Sequence, residues 1–277
     1  MIASAKRKYL CLLEFAMWLI AAVYLFPIYL EITIALKSQN DFARNLFGLP
    51  KVIVFQNLID VFKKMRIPIV TMNSLFIATT VIIILLLCSS LAAYAIARRN
   101  NGLFKGIYIF FMAGMMVPFQ LAMIPLYKLI RDLGLMNSYL GVVCIYTAEC
   151  VPLGIMIFTG FIKSIPRVLD ESATIDGCSY FMVYRKIILP FLRLSIIPVI
   201  VLNIVFIWND LLTPLLFLGS KHLTIITALY NFRGATYTTD WTMVFAGSVI
   251  TMIPLVVIFL FLQRYFIEGM VLGAVKG

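Results

Sequence analysis

Apolar residues dominate the chain in long stretches that shorter polar segments separate. Each stretch holds about 20 residues or more, enough at 1.5 Å per residue for a helix to cross a hydrocarbon layer of about 30 Å. The period of two that marks membrane barrel strands is missing from these stretches. The pattern therefore predicts an all-α integral membrane protein with about six transmembrane helices. The predicted spans are Tyr9–Leu36, Val70–Ala97, Leu103–Tyr127, Tyr139–Ile162, Ile188–Leu218 and Met243–Phe266.

The composition agrees with a membrane location. Hydrophobic residues make up 63% of the 277 residues and charged residues 13%, outside the usual mixture of a soluble domain. The net charge of +11 could indicate nucleic-acid binding, but the basic residues cluster at the ends of apolar stretches instead of lining one helix face. We therefore expect the lipid bilayer as the surroundings and no nucleic-acid partner.

The basic clusters also predict an orientation. Those at Lys6–Lys8, Arg98–Lys105, Lys163–Lys186 and Arg264–Lys276 fall on one side of the predicted membrane. Cytoplasmic loops carry an excess of Lys and Arg, so we expect this side, with both termini, to be cytoplasmic. The long first loop, 37–68, is also basic and lies on the other side, which weakens the asymmetry without reversing it.

The connection between the fourth and fifth spans, at about 163–187, is too long and too regular for a simple loop. Pro166 suits a first helical turn, and Asp176-Gly177 is a turn signal. The first short helix has an apolar side, formed by Val168, Leu169, Ala173 and Ile175. The segment therefore predicts a cytoplasmic helix pair whose exposed side is available to another protein.

Seven residues at fixed spacing in this connection form a pattern. They are Glu171, Ser172, Ala173, Gly177, Ile187, Leu189 and Pro190. The series resembles the EAA signature of binding-protein-dependent ABC importer permeases, with Ser172 in place of an alanine as the one departure. In that family this segment is the coupling helix pair, which docks in a cleft of the ATPase subunit. The resemblance thus assigns ATPase coupling to these residues and to Asp176 beside Gly177.

Shorter matches elsewhere resemble the carbohydrate branch of that family, typified by maltose transporter subunits. They include Asn73-Ser74, Ala92–Arg98, Pro125–Tyr127, Leu133–Leu135, Trp208-Asn209 and Gly273–Gly277. The resemblance implies one transmembrane domain over 1–277, with a first span at 9–36, a core permease domain at 70–266 and a coupling loop at 163–187. It also implies a place in the prokaryotic cytoplasmic membrane and the import of a sugar or oligosaccharide.

The partners follow from the same resemblance. They are a second homologous permease, two ABC ATPase subunits or domains, and an extracytoplasmic solute-binding protein. The sequence itself contains no GxxxxGK[ST] phosphate loop, no HExxH and no GxSxG, the short motifs of nucleotide, zinc and serine-hydrolase sites. We therefore expect no enzymatic activity, catalytic residue, cofactor or metal in this chain, with ATP and Mg bound by the partner ATPase.

Polar residues within the spans are candidates for a substrate pathway. Charged groups in membrane helices usually face protein or water, amide and carboxylate groups can hydrogen-bond sugar hydroxyls, and an aromatic face can cover a sugar ring. The candidates are Gln120, Glu149, Trp208, Asn209 and Asp210. Hydrogen bonding between helices is the other interpretation of these residues.

Two other functions stay open from the sequence. A permease of the same superfamily could carry an amino acid, a peptide or phosphate, and the ligand of the partner binding protein would discriminate between them. A secondary transporter driven by an ion gradient would show inverted repeats and acidic ion sites at the midplane. Neither feature is clear in the sequence, and transport that survives ATP depletion would favour that alternative.

Overall fold

The computed structural model describes the backbone of residues 2–99, 101–234 and 240–274, and the side chains of residues 10–99, 101–232 and 240–263. These residues form thirteen α-helices with one π-helical turn and one 3₁₀ turn. The helices are α1 (Ile2–Ala35), α2 (Gln39–Arg44), α3 (Gln56–Lys64), α4 (Ile67–Arg98), α5 (Gly102–Met115), α6 (Phe119–Asp132), α7 (Tyr139–Lys163), α8 (Val168–Ile175), α9 (Tyr180–Val183), α10 (Leu189–Asn209), α11 (Leu212–Phe217), α12 (Ile225–Gly234) and α13 (Trp241–Ala274).

Five helical stretches within the described residues are long and apolar enough to cross a membrane. They are Leu10–Ala35, Ile67–Arg98, Tyr139–Lys163, Tyr180–Asn209 and Trp241–Gln263. Helices α5 and α6 provide a sixth if the bent pair is counted as one span. The prediction of an all-α membrane protein with about six spans is confirmed.

The third predicted span, Leu103–Tyr127, is wrong as a single helix. Helices α5 and α6 meet at an angle of 101°. Pro118 precedes α6 with extended backbone, at φ −60° and ψ 129°. Because proline donates no backbone hydrogen bond and disfavours helical conformation at the residue before it, the helix stops at Met115 and a new one starts after Pro118.

The fifth predicted span, Ile188–Leu218, is shifted. Its helix begins at Tyr180 and ends at Asn209, and the last apolar residues form the separate helix α11. The carboxylate of Asp210 accepts hydrogen bonds from the backbone N–H groups of Leu212 and Thr213, both at 3.1 Å. A side-chain acceptor of this kind caps a new helix start, so the chain breaks here although hydropathy continues across the break.

The chain divides into two compact units, and the boundaries between them fall within α4, α12 and α13. One contains Met1–Ile67 with Ala228–Ile253, and the other contains Pro68–Thr227 with Pro254–Gly277. In the second unit, α4, α7, α10 and α11 surround a core of fully buried side chains. Its members include Val81, Leu85, Phe158, Ile188, Leu192 and Phe217. The coupling segment is connected to α7 and α10, two of the helices that pack around this core.

In the first unit, the connection after α1 is folded instead of extended. The buried Lys37 side chain donates hydrogen bonds to the carbonyl oxygens of Asn45 at 2.6 Å and Leu46 at 3.0 Å. The amide of Asn57 donates to the carbonyl oxygens of Ala35 and Lys37 at 3.0 and 2.8 Å. These bonds supply the partners that a buried amine and buried carbonyls require, so this polar stretch forms α2 and α3.

Candidate functional site

The connection between α7 and α10 forms two short helices, α8 and α9, joined by a tight turn. The N–H of Gly177 donates a hydrogen bond to the carbonyl oxygen of Thr174 at 3.0 Å, and the N–H of Cys178 donates to the carbonyl oxygen of Ala173 at 2.9 Å. This pair of bonds is the Schellman motif, which places the residue after the helix in the left-handed region. Gly177 has a φ of +85°, a conformation that glycine adopts without a steric penalty.

The eight predicted coupling residues differ in exposure. Glu171, Ser172, Asp176, Gly177 and Pro190 are exposed, Ile187 and Leu189 are half-buried, and Ala173 is buried. The predicted helix pair is therefore present, with Ala173 as the residue that α8 packs inward. The predicted apolar side of α8 faces outward for the most part, since Ile175 is 86% exposed.

An ion pair attaches α8 to the end of α4. Nε of Arg98 lies 2.6 Å from Oδ2 of Asp170, and the two side chains are only 11% and 17% exposed. Arg98 also donates to the carbonyl oxygen of Ile165 at 3.1 Å, and Arg167 donates to the carbonyl oxygen of Ala97 at 3.5 Å. Arginine is suited to such forked contacts. The ion pair and these two hydrogen bonds thus hold the start of α8 against the end of α4.

Tyr184, the first residue after α9, provides a second attachment to α4. The hydroxyl groups of Tyr184 and Ser90 are hydrogen-bonded at 2.7 Å. The Tyr184 ring lies 5.7 Å from that of Tyr94 and 6.2 Å from that of Phe181, measured between centroids. Tyr184 is buried, so its hydroxyl needs the partner that Ser90 supplies.

A π-helical turn at Tyr184–Ile188 joins α9 to α10. The N–H of Leu189 bonds to the carbonyl oxygen of Tyr184, five residues back. Pro190 follows and brings no N–H, and its ring would clash with the carbonyl four residues earlier in a regular helix. The Leu189-Pro190 pair of the signature thus coincides with a wider turn, a feature often found at functional positions of helices.

A cavity of 560 Å³ opens beside α8. Its lining combines charged and apolar side chains: Tyr94, Arg98, Arg167, Asp170, Glu171, Thr174, Ile175 and Tyr180. Glu171 is exposed, and no described residue forms an ion pair with it. The carboxylate of Glu171 and the surrounding apolar surface are therefore available to a protein with a basic and an apolar group at matching positions.

The five predicted pathway residues lie on α6, on α7 and at the end of α10, and they differ in burial. Gln120 lies exposed on α6, Glu149 is half-buried on α7, and Trp208 is buried near the end of α10. The Asn209 amide donates to the carbonyl oxygen of Val205 in its own helix at 2.9 Å.

Asp210 has a structural task in addition to any contact with substrate. Besides capping α11, its Oδ2 accepts a hydrogen bond from the Tyr146 hydroxyl at 2.9 Å. Tyr146 is fully buried on α7, one turn before Glu149. The bond therefore ties the break between α10 and α11 to α7.

Removal of the Tyr146 hydroxyl should loosen this break. We expect Tyr146→Phe to lower the free energy of unfolding by about 1 kcal/mol, because Asp210 loses one donor but keeps two backbone donors. Asp210→Ala should lower the free energy of unfolding further, since it removes the cap of α11 and leaves the buried Tyr146 hydroxyl without the carboxylate that accepts its hydrogen bond. Thermal unfolding of the purified chain measures both. Tyr230→Phe, at an exposed position, serves as control, and equal effects at 146 and 230 would contradict the assignment.

Known proteins share this architecture. The sequence profile of the family described as "Binding-protein-dependent transport system inner membrane component" matches residues 86–271, more than half of the chain. The chain belongs to this family. It is therefore a multi-pass membrane permease of a binding-protein-dependent importer, and the segment from α8 to Pro190 lies within the matched region.

Individual relatives agree over nearly the full length. The permease is 31% identical to the melibiose/raffinose/stachyose import permease protein MelC of Bacillus subtilis, over 99% of each chain. It is 32% identical to the probable starch degradation products transport system permease protein AmyC of Thermoanaerobacterium thermosulfurigenes, over 98% of this chain and 97% of that one. The match includes both compact units and is not confined to the coupling segment.

A solved structure has the same fold. A chain of a bacterial ABC transporter involved in the import of the acidic polysaccharide alginate aligns with a TM-score of 0.81. The alignment covers 95% of the permease and 98% of that chain, at 19% sequence identity. At this identity the likeness is one of fold, and it extends across the helices described above.

Sequence reasoning missed Arg98, Asp170 and Tyr146 as parts of the site. Asp170 directly precedes Glu171, and Arg98 ends the fourth helix, yet the two residues are 72 positions apart in the chain. Only Arg98 carried a signal, as the last residue of a family-like match at Ala92–Arg98. Buried ion pairs across such separations become visible only when the helices are placed side by side.

Proposed function

We propose that this permease imports a sugar or oligosaccharide and is driven by ATPase subunits that dock on the α8–α9 pair. The saccharides named for MelC and AmyC, two relatives that match almost the full chain, support a substrate of this class. One observation carries the coupling role. Glu171 is exposed on α8. Other residues of the same helix hold it against the second unit, because Asp170 forms an ion pair with Arg98 and Ala173 is buried.

The proposed assembly contains this chain, a second homologous permease, two ATPase subunits or domains and an external binding protein. ATP and Mg bind in the ATPases, and this chain contributes no catalytic group, cofactor or metal site. The basic loops support an orientation with the α8–α9 pair and both termini in the cytoplasm. A family described as binding-protein-dependent supports delivery of substrate from the opposite side.

The contacts of the α8–α9 pair suggest how motion reaches the membrane. When the ATPases bind ATP and close, α8 moves with them. The ion pair to Arg98 and the bond between Tyr184 and Ser90 pass this displacement to α4, while the π-helical turn passes it to α10. Since packed helices shift as rigid bodies, α4 and α10 move together and open the pathway to the outside.

Gln120, Glu149, Trp208, Asn209 and Asp210 stay proposed pathway residues. Glu149 is the first to test, because its Oε2 is buried without a hydrogen-bond partner among the described residues. A buried carboxylate oxygen in a membrane span is costly unless a partner reaches it. A hydroxyl group of a passing sugar is one such partner.

Charge reversal at Glu171 tests the docking. Glu171 is exposed and makes no ion pair with a described residue, so Glu171→Lys should leave insertion and folding unchanged while recovery of the ATPase falls by about tenfold, the effect of about 1.4 kcal/mol. The assay is purification in mild detergent followed by quantitative mass spectrometry of the accompanying subunits. Asp132→Lys makes the same charge change at an exposed position on α6 and should retain the ATPase.

Either result has a clear meaning for the function. If wild type brings no ATPase under conditions that keep other importers intact, the ATP-driven proposal fails. If the ATPase is retained by Glu171→Lys, docking is elsewhere. Uptake of labelled raffinose and maltotriose by cells with and without the permease tests the saccharide class. If neither sugar is taken up and the partner binding protein selects another solute, the sugar assignment is wrong.

A further inference from the structure

Two cavities meet on the side of the second unit where α4 approaches the α9–α10 junction. The larger has a volume of 290 Å³ and extends from Leu86 on α4 to Ile196 on α10. The smaller, of 250 Å³, lies at the end of α4 beside Arg98 and Arg99. Their linings share Leu91, Phe181 and Tyr184. The two cavities are therefore adjacent, and we call them together the α4–α10 groove.

The inner part of this groove is apolar. Its wall includes Leu86, Leu87, Leu91, Phe158, Phe181, Leu189 and Ile196. Two hydroxyl groups also line it, those of Ser90 and Tyr184, but they bond to each other at 2.7 Å. The Ser90 hydroxyl also lies 2.5 Å from the carbonyl oxygen of Leu86, inside its own helix. Because these polar groups are already satisfied, the inner part suits a hydrocarbon chain better than a sugar or an ion.

The outer part of the groove is cationic. Arg185 lines the larger cavity, is exposed, and has no acidic partner among the described residues. Arg98 is already paired with Asp170, and the Arg99 guanidinium lies 5.1 Å above the Phe104 ring. Neither Arg99 nor Arg185 has a carboxylate partner among the described residues, and Arg185 is the one cation that lines the larger, apolar cavity.

We propose that the α4–α10 groove binds an anionic phospholipid, with an acyl chain against Leu87, Leu91 and Ile196 and the phosphate against Arg185. An apolar groove with a free cation at one end matches an amphiphile with an anionic head. Basic pockets between helices on the cytoplasmic side are a recognised form of lipid site, and this assignment rests on the proposed orientation. The two cavities, of 290 and 250 Å³, are each slightly smaller than the roughly 300–1,000 Å³ of small-molecule sites.

A lipid in this groove would contact the joint that the proposed function uses. Phe181 and Tyr184 belong to α9 and the π-helical turn, and Leu91 belongs to α4. The acyl chain therefore fills the space between the two elements that the Ser90–Tyr184 bond connects. A bound lipid should hold the α9–α10 junction against α4, and so should stabilise the contact through which the proposed motion passes.

Native mass spectrometry of the full-length chain, purified with whatever subunits accompany it, tests the site. The protein is titrated with phosphatidylglycerol and, separately, with phosphatidylcholine of the same acyl chains. Wild type should retain phosphatidylglycerol about fivefold better, the effect of about one basic residue at an anionic head group. Arg185→Gln should abolish this preference. Arg193→Gln, an exposed arginine on α10 that lines neither cavity, should keep it.

Leu87→Trp fills the apolar part and should lower retention of both lipids. Equal retention of the two lipids by wild type, or equal losses for the Gln substitutions at 185 and 193, would overturn the site. So would a photo-crosslinking residue at position 87 that captures a protein subunit instead of lipid. The titration requires neither ATPase nor transported substrate. Lipid selectivity without an ATPase would refute the proposed function alone, and an ATPase without lipid selectivity would refute the lipid site alone.

Discussion

Arg98→Glu should reduce uptake to background while the protein still inserts into the membrane. The change places two carboxylates where Nε of Arg98 and Oδ2 of Asp170 now lie 2.6 Å apart, with side chains only 11% and 17% exposed. Breaking a buried ion pair costs about 3–5 kcal/mol, and partial exposure favours the lower end. About 3 kcal/mol is roughly a hundredfold loss of the attached state. Uptake of a labelled saccharide and recovery of the ATPase measure the loss.

A double variant with exchanged charges tests whether the ion pair itself is needed, or only an arginine at position 98. Combining Arg98→Glu with Asp170→Arg restores opposite charges, so ATPase recovery and part of the uptake should return. Lys105→Glu reverses an exposed charge in the same region of the chain and should leave both near wild type. If the double variant is no better than Arg98→Glu, the ion pair is not what holds α8, and the bond of Arg98 to the Ile165 carbonyl becomes the more important contact.

The coupling segment could be predicted from sequence because its signals are local. Pro166, the Asp176-Gly177 turn and the Leu189-Pro190 pair act through backbone conformation within a few residues. The structure accordingly has α8, the turn and α9 at the predicted positions. The roles assigned to individual coupling residues are a different matter and stay predictions, since they depend on a partner protein.

Span boundaries were harder to predict, for a physical reason. Hydropathy measures how apolar a stretch is and not whether its backbone is continuous. The break at Pro118 has a local cause, so the proline could have indicated it. The break at Asp210 combines a local cap with a bond from Tyr146, 64 residues away, and the apolar residues on both sides hide it. Contacts of this range, like the pair of Arg98 and Asp170, follow from helix packing that composition does not determine.

Gly154 on α7 packs tightly against Ser89 and Leu85 on α4. A Cβ atom on Gly154 would lie 2.7 Å from Oγ and 2.8 Å from Cβ of Ser89, and 3.1 Å from a methyl group of Leu85. The Leu85 methyl could move, but the Cβ of Ser89 is fixed by its backbone. Small residues at helix interfaces in membranes permit such close packing. Any larger residue at 154 therefore has to push the two helices apart.

Gly154→Leu should consequently destabilise the second unit more than any other single change considered above. Separation of α4 and α7 opens the core around Phe158 and Leu85. Overpacking typically costs about 1–3 kcal/mol and occasionally more, and we expect a four-carbon side chain at this position to exceed the upper end of that range. We expect a large loss of folded protein in detergent and no detectable uptake, measured by size-exclusion yield and thermal unfolding. Gly160→Leu adds the same side chain on the same helix where no atom lies within 4 Å. Its yield should stay near wild type, since leucine is the better helix former, and similar losses at both positions would mean that the added apolar bulk, not contact with Ser89, explains the effect. Gly154→Ala should fall between, because one methyl group already meets the Cβ of Ser89.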